Sequence, residues 1–439
     1  MSKAGLRLST AAMCLCTSLF AFAPSRAAAS TQFESSGTLP GGGTYVVSSD
    51  PLAATAAIEL WFRAPSAGSN NAYPGIARLA LAALAASSPP HGTSLAQLVN
   101  RMGGSLSLTV YPDIAMVGVS VPFWDATQAL RALTSAYFAP AISSEGLKSA
   151  LRDCAIAAAQ GRFDSDRVMQ DALFSELFAA GPAHVAPIPD SASAFARIPE
   201  DQVRAFAARA FRQGNAVLSI AGAAGTQLLA DVRGAAASSS ADPPYDSPLS
   251  NAPGSMDRSG ALQGFGLAWA GAPISDQKAA TALDFIADYL FDSDHGTFAK
   301  AVQAARPDAF VSGQFITLHN PGVLLVVVSG ANTPELRAQL SDAVAAMKKP
   351  MDEKTFTAAR SAFRYHLLSQ TQTPMSRADN LGWYAAEGNA AYAPGAGSGE
   401  YLNAVEALDP GYVAQTARTY LQRPAAVQLI STGQKGTAT

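Results

Sequence analysis

The sequence predicts an α+β protein of two homologous domains, each a mainly antiparallel or mixed sheet packed on helices. Three observations lead there. Strand-like runs with period-two patterning alternate with amphipathic helical runs along most of the chain. The stretch Asp201–Gly222, "DQVRAFAARAFRQGNAVLSIAG", is echoed by Gly411–Thr432, "GYVAQTARTYLQRPAAVQLIST". Both give a helix with Ala-Arg-x-aromatic near its end, a short break and a terminal strand, so Arg209 and Phe211 match Arg418 and Tyr420. Between the two lies Gly234–Asp257, where Ala, Ser, Pro, Asp and Gly crowd without periodicity, which is linker composition. The expected organisation is a first domain over residues 30–233, a linker over 234–258 and a second domain over 259–439, related by duplication.

The elements follow in order. Lys3 and Arg7, the apolar run Ala11–Ala23 and the small residues up to Ala29 have the layout of a secretory signal peptide over residues 1–29. That run is shorter than the roughly 20 residues of a membrane span, so a periplasmic or secreted protein without a transmembrane span is expected. "GGTYVVSSD" (Gly42–Asp50) and "AATAAIELWFRA" (Ala53–Ala64) read as the two strands of a hairpin, with "SSDPL" as the turn. Gly75–Ser87 reads as an apolar helix. Ser94–Gly104 reads as a helix with Ser94 as N-cap and a Gly stop. "SLSLTVYPDIAMVGVSVP" (Ser105–Pro122) alternates as two strands around a Pro-Asp turn. Leu130, Leu133 and Tyr137 recur at helical spacing. Further helices are expected near 143–161, 166–180 and 200–211, and the strand "NAVLSIAG" closes this half.

Composition excludes several functions. Apolar residues make up 49% and charged residues only 14%, so the chain is a core-former and not a disordered tail. With a net charge of −3 and no basic block, nucleic acid is not an expected partner. Two of the three cysteines fall in the expected signal peptide. Cys154 alone remains, which gives neither an internal disulfide nor a cysteine zinc site. Cys154 sits on an Ala-rich helical face and reads as a buried small residue. The five histidines, at 91, 184, 295, 319 and 366, are scattered and offer little material for a metal cluster. "RFDSDRV" reads as a helix cap, and "NLGWYAAEG" (Asn380–Gly388) as a packing surface.

The order "IELWFRAPSAGSN", "YPGIARLALAAL", "LAQLVNRMGGSLSLTVYPDIAMVGVSV" and "PEDQVRAFAARAFRQGNAVLSIAG" resembles the insulinase/pitrilysin family of metallopeptidases, which includes the mitochondrial processing peptidases. The likeness spans about residues 40–435 and consists of many weak matches in the right order. It implies two duplicated domains that form half of a clamshell. It also implies an inverted zinc motif, H-x-x-E-H, on an early helix, in which two His hold zinc and the Glu activates its water, with a more distant Glu as third ligand.

Laid on that motif, the first His position holds Arg78, the Glu position Leu81 and the second His position Ala82. The third-ligand position falls near Ala158, in a stretch with no carboxylate between Asp153 and Asp164. Arg78 keeps its proton and repels a cation, and Leu81 and Ala82 offer no lone pair. No catalytic residue and no metal ligand are therefore expected, and no cofactor. Zinc is expected only in an active partner. The family also keeps an Arg and a Tyr seven positions apart in its second half, to hold substrate. Gln303 and Phe310 fall there, and Phe310 lacks the hydroxyl. The strand after Gly-Gly pairs with peptide in the family, which makes Ser105, Ser107 and Thr109 candidate peptide contacts together with Gln303 and Phe310.

The resemblance implies a non-catalytic member of the family, the inactive partner of an exported zinc peptidase. It would contribute cavity wall and peptide binding in a hetero-oligomer with an active H-x-x-E-H homologue. The partner is expected to be that homologue or a second copy of the chain, with peptide or unfolded polypeptide as ligand; the alternatives are a stand-alone envelope peptide-binding or scaffold module and a peptidase with an unrecognised site.

Overall fold

The computed structural model describes residues 33–68, 72–89, 92–232, 241–388 and 400–431. The expected signal peptide, His91 and the first part of the expected linker lie outside the described residues. No helix among the described residues is long and apolar enough to cross a membrane.

The first sheet contains β1 (Phe33–Thr38), β2 (Thr44–Ser49), β3 (Thr55–Arg63), β4 (Ser105–Val110), β5 (Ile114–Pro122) and β6 (Ala216–Gly222), in the order β1-β2-β6-β3-β5-β4. The second contains β7 (Ser255–Gly260), β8 (Gly264–Ala270), β9 (Phe310–Ile316), β10 (Val323–Ser329) and β11 (Ala425–Ser431), in the order β7-β11-β8-β10-β9. The two orders repeat one topology. In each, the last strand enters the centre, parallel to the first strand of the repeat and antiparallel to the next. An antiparallel pair, β5–β4 or β10–β9, completes the sheet at the far side. Strand β1 is an addition to the first sheet.

The hairpin expected over 42–64 is corrected by this arrangement. β2 and β3 are not neighbours, because β6 lies between them. The reason is burial. Every residue of β6 is buried, and a strand apolar throughout takes a central place with partners on both edges. The backbone N–H of Asp50, in the middle of the supposed turn, donates to the carbonyl of Gly222 at the end of β6 over 2.7 Å. Strand β7 also begins inside the stretch read as linker.

Helices follow the same repeat. The first half carries α1 (Ile76–Ala86), α2 (Leu95–Arg101), α3 (Ala126–Phe138), α4 (Ser144–Gly161), α5 (Ser165–Leu177), α6 (Ala192–Ala196) and α7 (Glu200–Ala210). The second carries α8 (Gln277–Phe291), α9 (Thr297–Ala305), α10 (Pro334–Met347), α11 (Glu353–Gln370), α12 (Pro374–Glu387), α13 (Glu400–Glu406) and α14 (Pro410–Tyr420). By element order α1, α4 and α5 correspond to α8, α11 and α12. Local chemistry sets the boundaries. Ser94 caps α2 by accepting from the Gln97 N–H, and Asp164 caps α5 by accepting from the Arg167 N–H.

The central strands of each sheet are buried on both faces. Ile58, Leu60 and Phe62 of β3 join the core formed with α1, α3, α4 and α7. The alternate residues Ala57 and Trp61 meet α12 of the other half. Reciprocally, Met169, Leu173 and Leu177 of α5 pack on Ala268, Leu325, Val327 and Leu429 of the second sheet. The halves thus exchange a helix. The Asn380–Gly388 stretch read as packing surface is part of α12, with Trp383 edge-on to Trp61 at 6.0 Å and to Tyr111 at 4.6 Å.

Candidate functional site

The first region to consider is the seam between α1 and α4, which pack side by side. Gly75 starts α1 with φ +84°, a left-handed conformation, and a Cβ there would lie 2.6 Å from Phe195. From that start the helix presents Arg78, Leu81 and Ala82. Leu81 and Ala158 are fully buried, and Ala82 nearly so. The Tyr137 hydroxyl donates to the Leu81 carbonyl over 2.9 Å and ties α3 to α1. Arg78 reaches out of the seam and its Nη1 donates to the Leu108 carbonyl of β4. Its Nε is buried without a partner. Cys154 lies beside this guanidinium, and burial pushes its thiol up to about 11 despite the nearby charge. A thiol so protonated is a poor nucleophile at neutral pH. The four positions singled out in the sequence therefore close the seam with apolar packing and one arginine tether. Replacing Arg78 with Met should cost about 1 kcal/mol, the usual worth of such a hydrogen bond; a urea unfolding curve unchanged from wild type would show that the tether contributes nothing.

Strand β4 forms one edge of the first sheet, paired only with β5. Ser105 is exposed on it, and Ser107 and Thr109 are half-buried. Gln303 is exposed on α9. Phe310, the first residue of the other edge strand β9, is 68% exposed. None of these five residues lines the cavity beside Tyr111 and Trp383.

That cavity, of about 420 Å³, lies where the halves meet. Tyr111 and Pro112 from the β4–β5 turn, Phe174 of α5, residues 313–316 of β9, Thr317 just beyond it and Trp383 of α12 wall it. The Trp383 Nε1–H donates to the Thr317 carbonyl over 3.0 Å, which fixes the indole against β9. Acidic groups from α8 face this space. The Asp284 carboxyl, which accepts from the Tyr401 hydroxyl, is pushed up to about 7 by burial. Asp288 is also raised by burial, against the opposing pull of His295 and His366.

Here the structure departs from the reading of scattered histidines. His295, in the turn after α8, and His366, on α11, both contact Asp288. Sequence spacing gave no signal for this pairing. It comes from the packing of α11 on α8, the counterpart of α4 on α1. His184 and His319 stand elsewhere, each with its Nδ1 on a backbone carbonyl, that of Phe178 and Glu387 respectively.

No family model matches the sequence, and no curated protein does. Solved structures do. A protease from Helicobacter pylori aligns with a TM-score of 0.79 at 14% identity, over 91% of this chain and 99% of its own. A structure described as an M16-like peptidase from Alicyclobacillus acidocaldarius gives 0.75 at 14%, over 92% and 99%. A peptidase M16 inactive domain from Pseudomonas fluorescens gives 0.74 at 17%, over 91% and 98%. The fold is that of the M16 peptidases. At these identities the likeness concerns the M16 fold, the one implied by the insulinase/pitrilysin resemblance. It includes the two sheets packed on helices. Within this M16 fold, the early helix α1 carries no histidine, cysteine or carboxylate.

Proposed function

We propose that this chain is a non-catalytic insulinase-type protein that serves as the inactive partner of an exported zinc peptidase. It lends that assembly a cavity wall and a peptide-binding edge. The observation that carries this reading is the α1–α4 seam. Where the resemblance puts two histidines and two glutamates, Arg78, Leu81, Ala82 and Ala158 stand, three of them buried as core and the fourth tethered to β4. Leu and Ala supply no metal ligand and no general base. The fold and the β4 edge remain, and backbone pairing with an extended peptide needs no particular side chains. Ser105, Ser107, Thr109, Gln303 and Phe310 are the candidate contacts. The signal-peptide layout of residues 1–29 supports export to the periplasm or beyond.

The test is co-purification of the tagged chain from its native host, followed by peptide-cleavage assays. A near-equimolar homologue bearing H-x-x-E-H is expected, with chelator-sensitive cleavage by the pair and none by this chain alone. Recovery of a homodimer only would sink the partner role. Chelator-sensitive cleavage by the purified chain alone would sink the non-catalytic reading altogether.

A further inference from the structure

We propose that Asp288, His295 and His366 form a binding site for a divalent transition-metal ion of the zinc class, in the seam between α8 and α11. The site goes beyond the partner-subunit reading and does not depend on it.

Three independent features of geometry point there. First, one carboxylate oxygen, Asp288 Oδ1, lies 3.1 Å from His295 Nε2 and 3.1 Å from His366 Nδ1. One ligand atom from each residue can be chosen so that all lie within 4.8 Å of one another. Zinc–nitrogen and zinc–oxygen bonds near 2.0–2.1 Å put tetrahedral ligand atoms about 3.3 Å apart, so the cluster is already close to ligand spacing. Second, the far nitrogen of His295, Nδ1, lies 2.6 Å from Asp292 Oδ1. A carboxylate on the second ring nitrogen fixes the tautomer and frees Nε2 to ligate, which is the usual support of a metal-binding histidine. Asp292 is itself held. Its Oδ1 accepts the backbone N–H of Asp294 and of His295 over 2.9 and 3.2 Å, so the turn presents the imidazole in one position. Third, the two imidazoles meet at a tilt of 36° with centroids 3.5 Å apart. Rings this close bring their nitrogens to one point, where a single divalent ion would be shared by both imidazoles and the carboxylate.

The donor set names the class of ion. Imidazole with carboxylate suits zinc and its late transition-metal neighbours, whereas calcium and magnesium prefer oxygen alone. The side chains are shielded but reachable, at 13% exposure for Asp288, 27% for His295 and 21% for His366. Asp288 and His366 also line the 420 Å³ cavity, which gives an ion a path of entry. Three protein ligands leave a fourth tetrahedral position for water or a bound group.

The experiment uses the full chain without a polyhistidine tag, stripped with chelator and dialysed against zinc chloride. Elemental analysis should find one zinc per chain, and cobalt chloride in place of zinc should give the visible bands of a nitrogen- and oxygen-ligated site. His366→Ala and His295→Gln should each abolish stoichiometric binding. Asp292→Asn should weaken it by about tenfold or more, the usual cost of losing such a support. His184→Ala, remote from the cluster, should bind as wild type does. Failure of the wild-type chain to take up one zinc overturns the proposal, and so does wild-type binding by His295→Gln and His366→Ala. Should a ligand variant fail to fold by circular dichroism, the wild-type stoichiometry and Asp292→Asn decide the matter. Peptide cleavage is read separately, so zinc bound without cleavage leaves the partner-subunit reading untouched.

Discussion

Glu59→Gln should remove a large part of the pH dependence of stability between pH 5 and 8. Glu59 sits in the middle of β3, fully buried, facing α12. The indole N–H of Trp61 donates to its Oε2 over 2.8 Å, while its Oε1 has no partner. Burial first and the charge of Asp379 second push its carboxyl up to about 8, against the pull of that indole bond. The folded chain therefore holds a proton that the unfolded chain has released above its ordinary value of 4.5. Stability falls as pH rises through this window and levels off above the folded value. At about 1.4 kcal/mol per unit, the whole window is worth on the order of 5 kcal/mol. Glutamine keeps the acceptor for Trp61 and has no proton to lose. The variant and the wild type should unfold alike in urea near pH 4.5, and the variant should be the more stable by several kcal/mol above pH 8. Asp171 and Asp284, each pushed up to about 7 by burial, will leave a residual slope in both. Parallel stability curves across the range would refute the assignment.

Gly382→Ala should destabilise the protein by about 3 kcal/mol, at the upper end of overpacking costs. On an exposed helix the same change stabilises by about 1 kcal/mol. The sign reverses because Gly382 lies in α12 directly over Trp61. A Cβ at 382 would fall 2.0 Å from the indole Nε1 and 2.4 Å from Cδ1. Trp61 has no room to yield. It is fully buried, stacked on Tyr111 at 6.0 Å, edge-on to Trp383 and bonded to Glu59. In a Trp61→Ala background, which removes the indole altogether, the same change should cost much less. A rise in the urea midpoint for Gly382→Ala alone would mean that α12 does not press on β3 in solution.

The parts of the fold legible in the sequence are those fixed by neighbouring residues. The Ser94 cap, the Pro-Asp turn between β4 and β5, and the matching helix–strand ends at β6 and β11 all rest on short-range chemistry. Strand partners do not. β2 and β3 look like a hairpin because they are adjacent in sequence, yet β6 arrives more than a hundred residues later and separates them. Nor does the apolar character of β3 reveal that one face belongs to α1 and the other to a helix of the opposite half. The candidate site divides in the same way. The chemical blankness of Arg78, Leu81, Ala82 and Ala158 is a matter of residue types and can be read from the sequence alone. The meeting of His295 and His366 over Asp288 depends on two helices far apart in the chain. Only a repeat-to-repeat alignment of α8 and α11 with α1 and α4 would have pointed to it.

The reciprocal exchange of α5 and α12 also sets a timetable for synthesis. β3 and β6 leave the ribosome well before residues 374–387, so until then the face of Ala57, Trp61 and Val217 has no cover. The earlier-made α5 likewise waits, with Leu173 and Phe174 bare, for the sheet it will seal. Neither half is a finished object when made alone, and a nascent first half is a sticky one. Each half is complete only when it holds the helix that the other half carries.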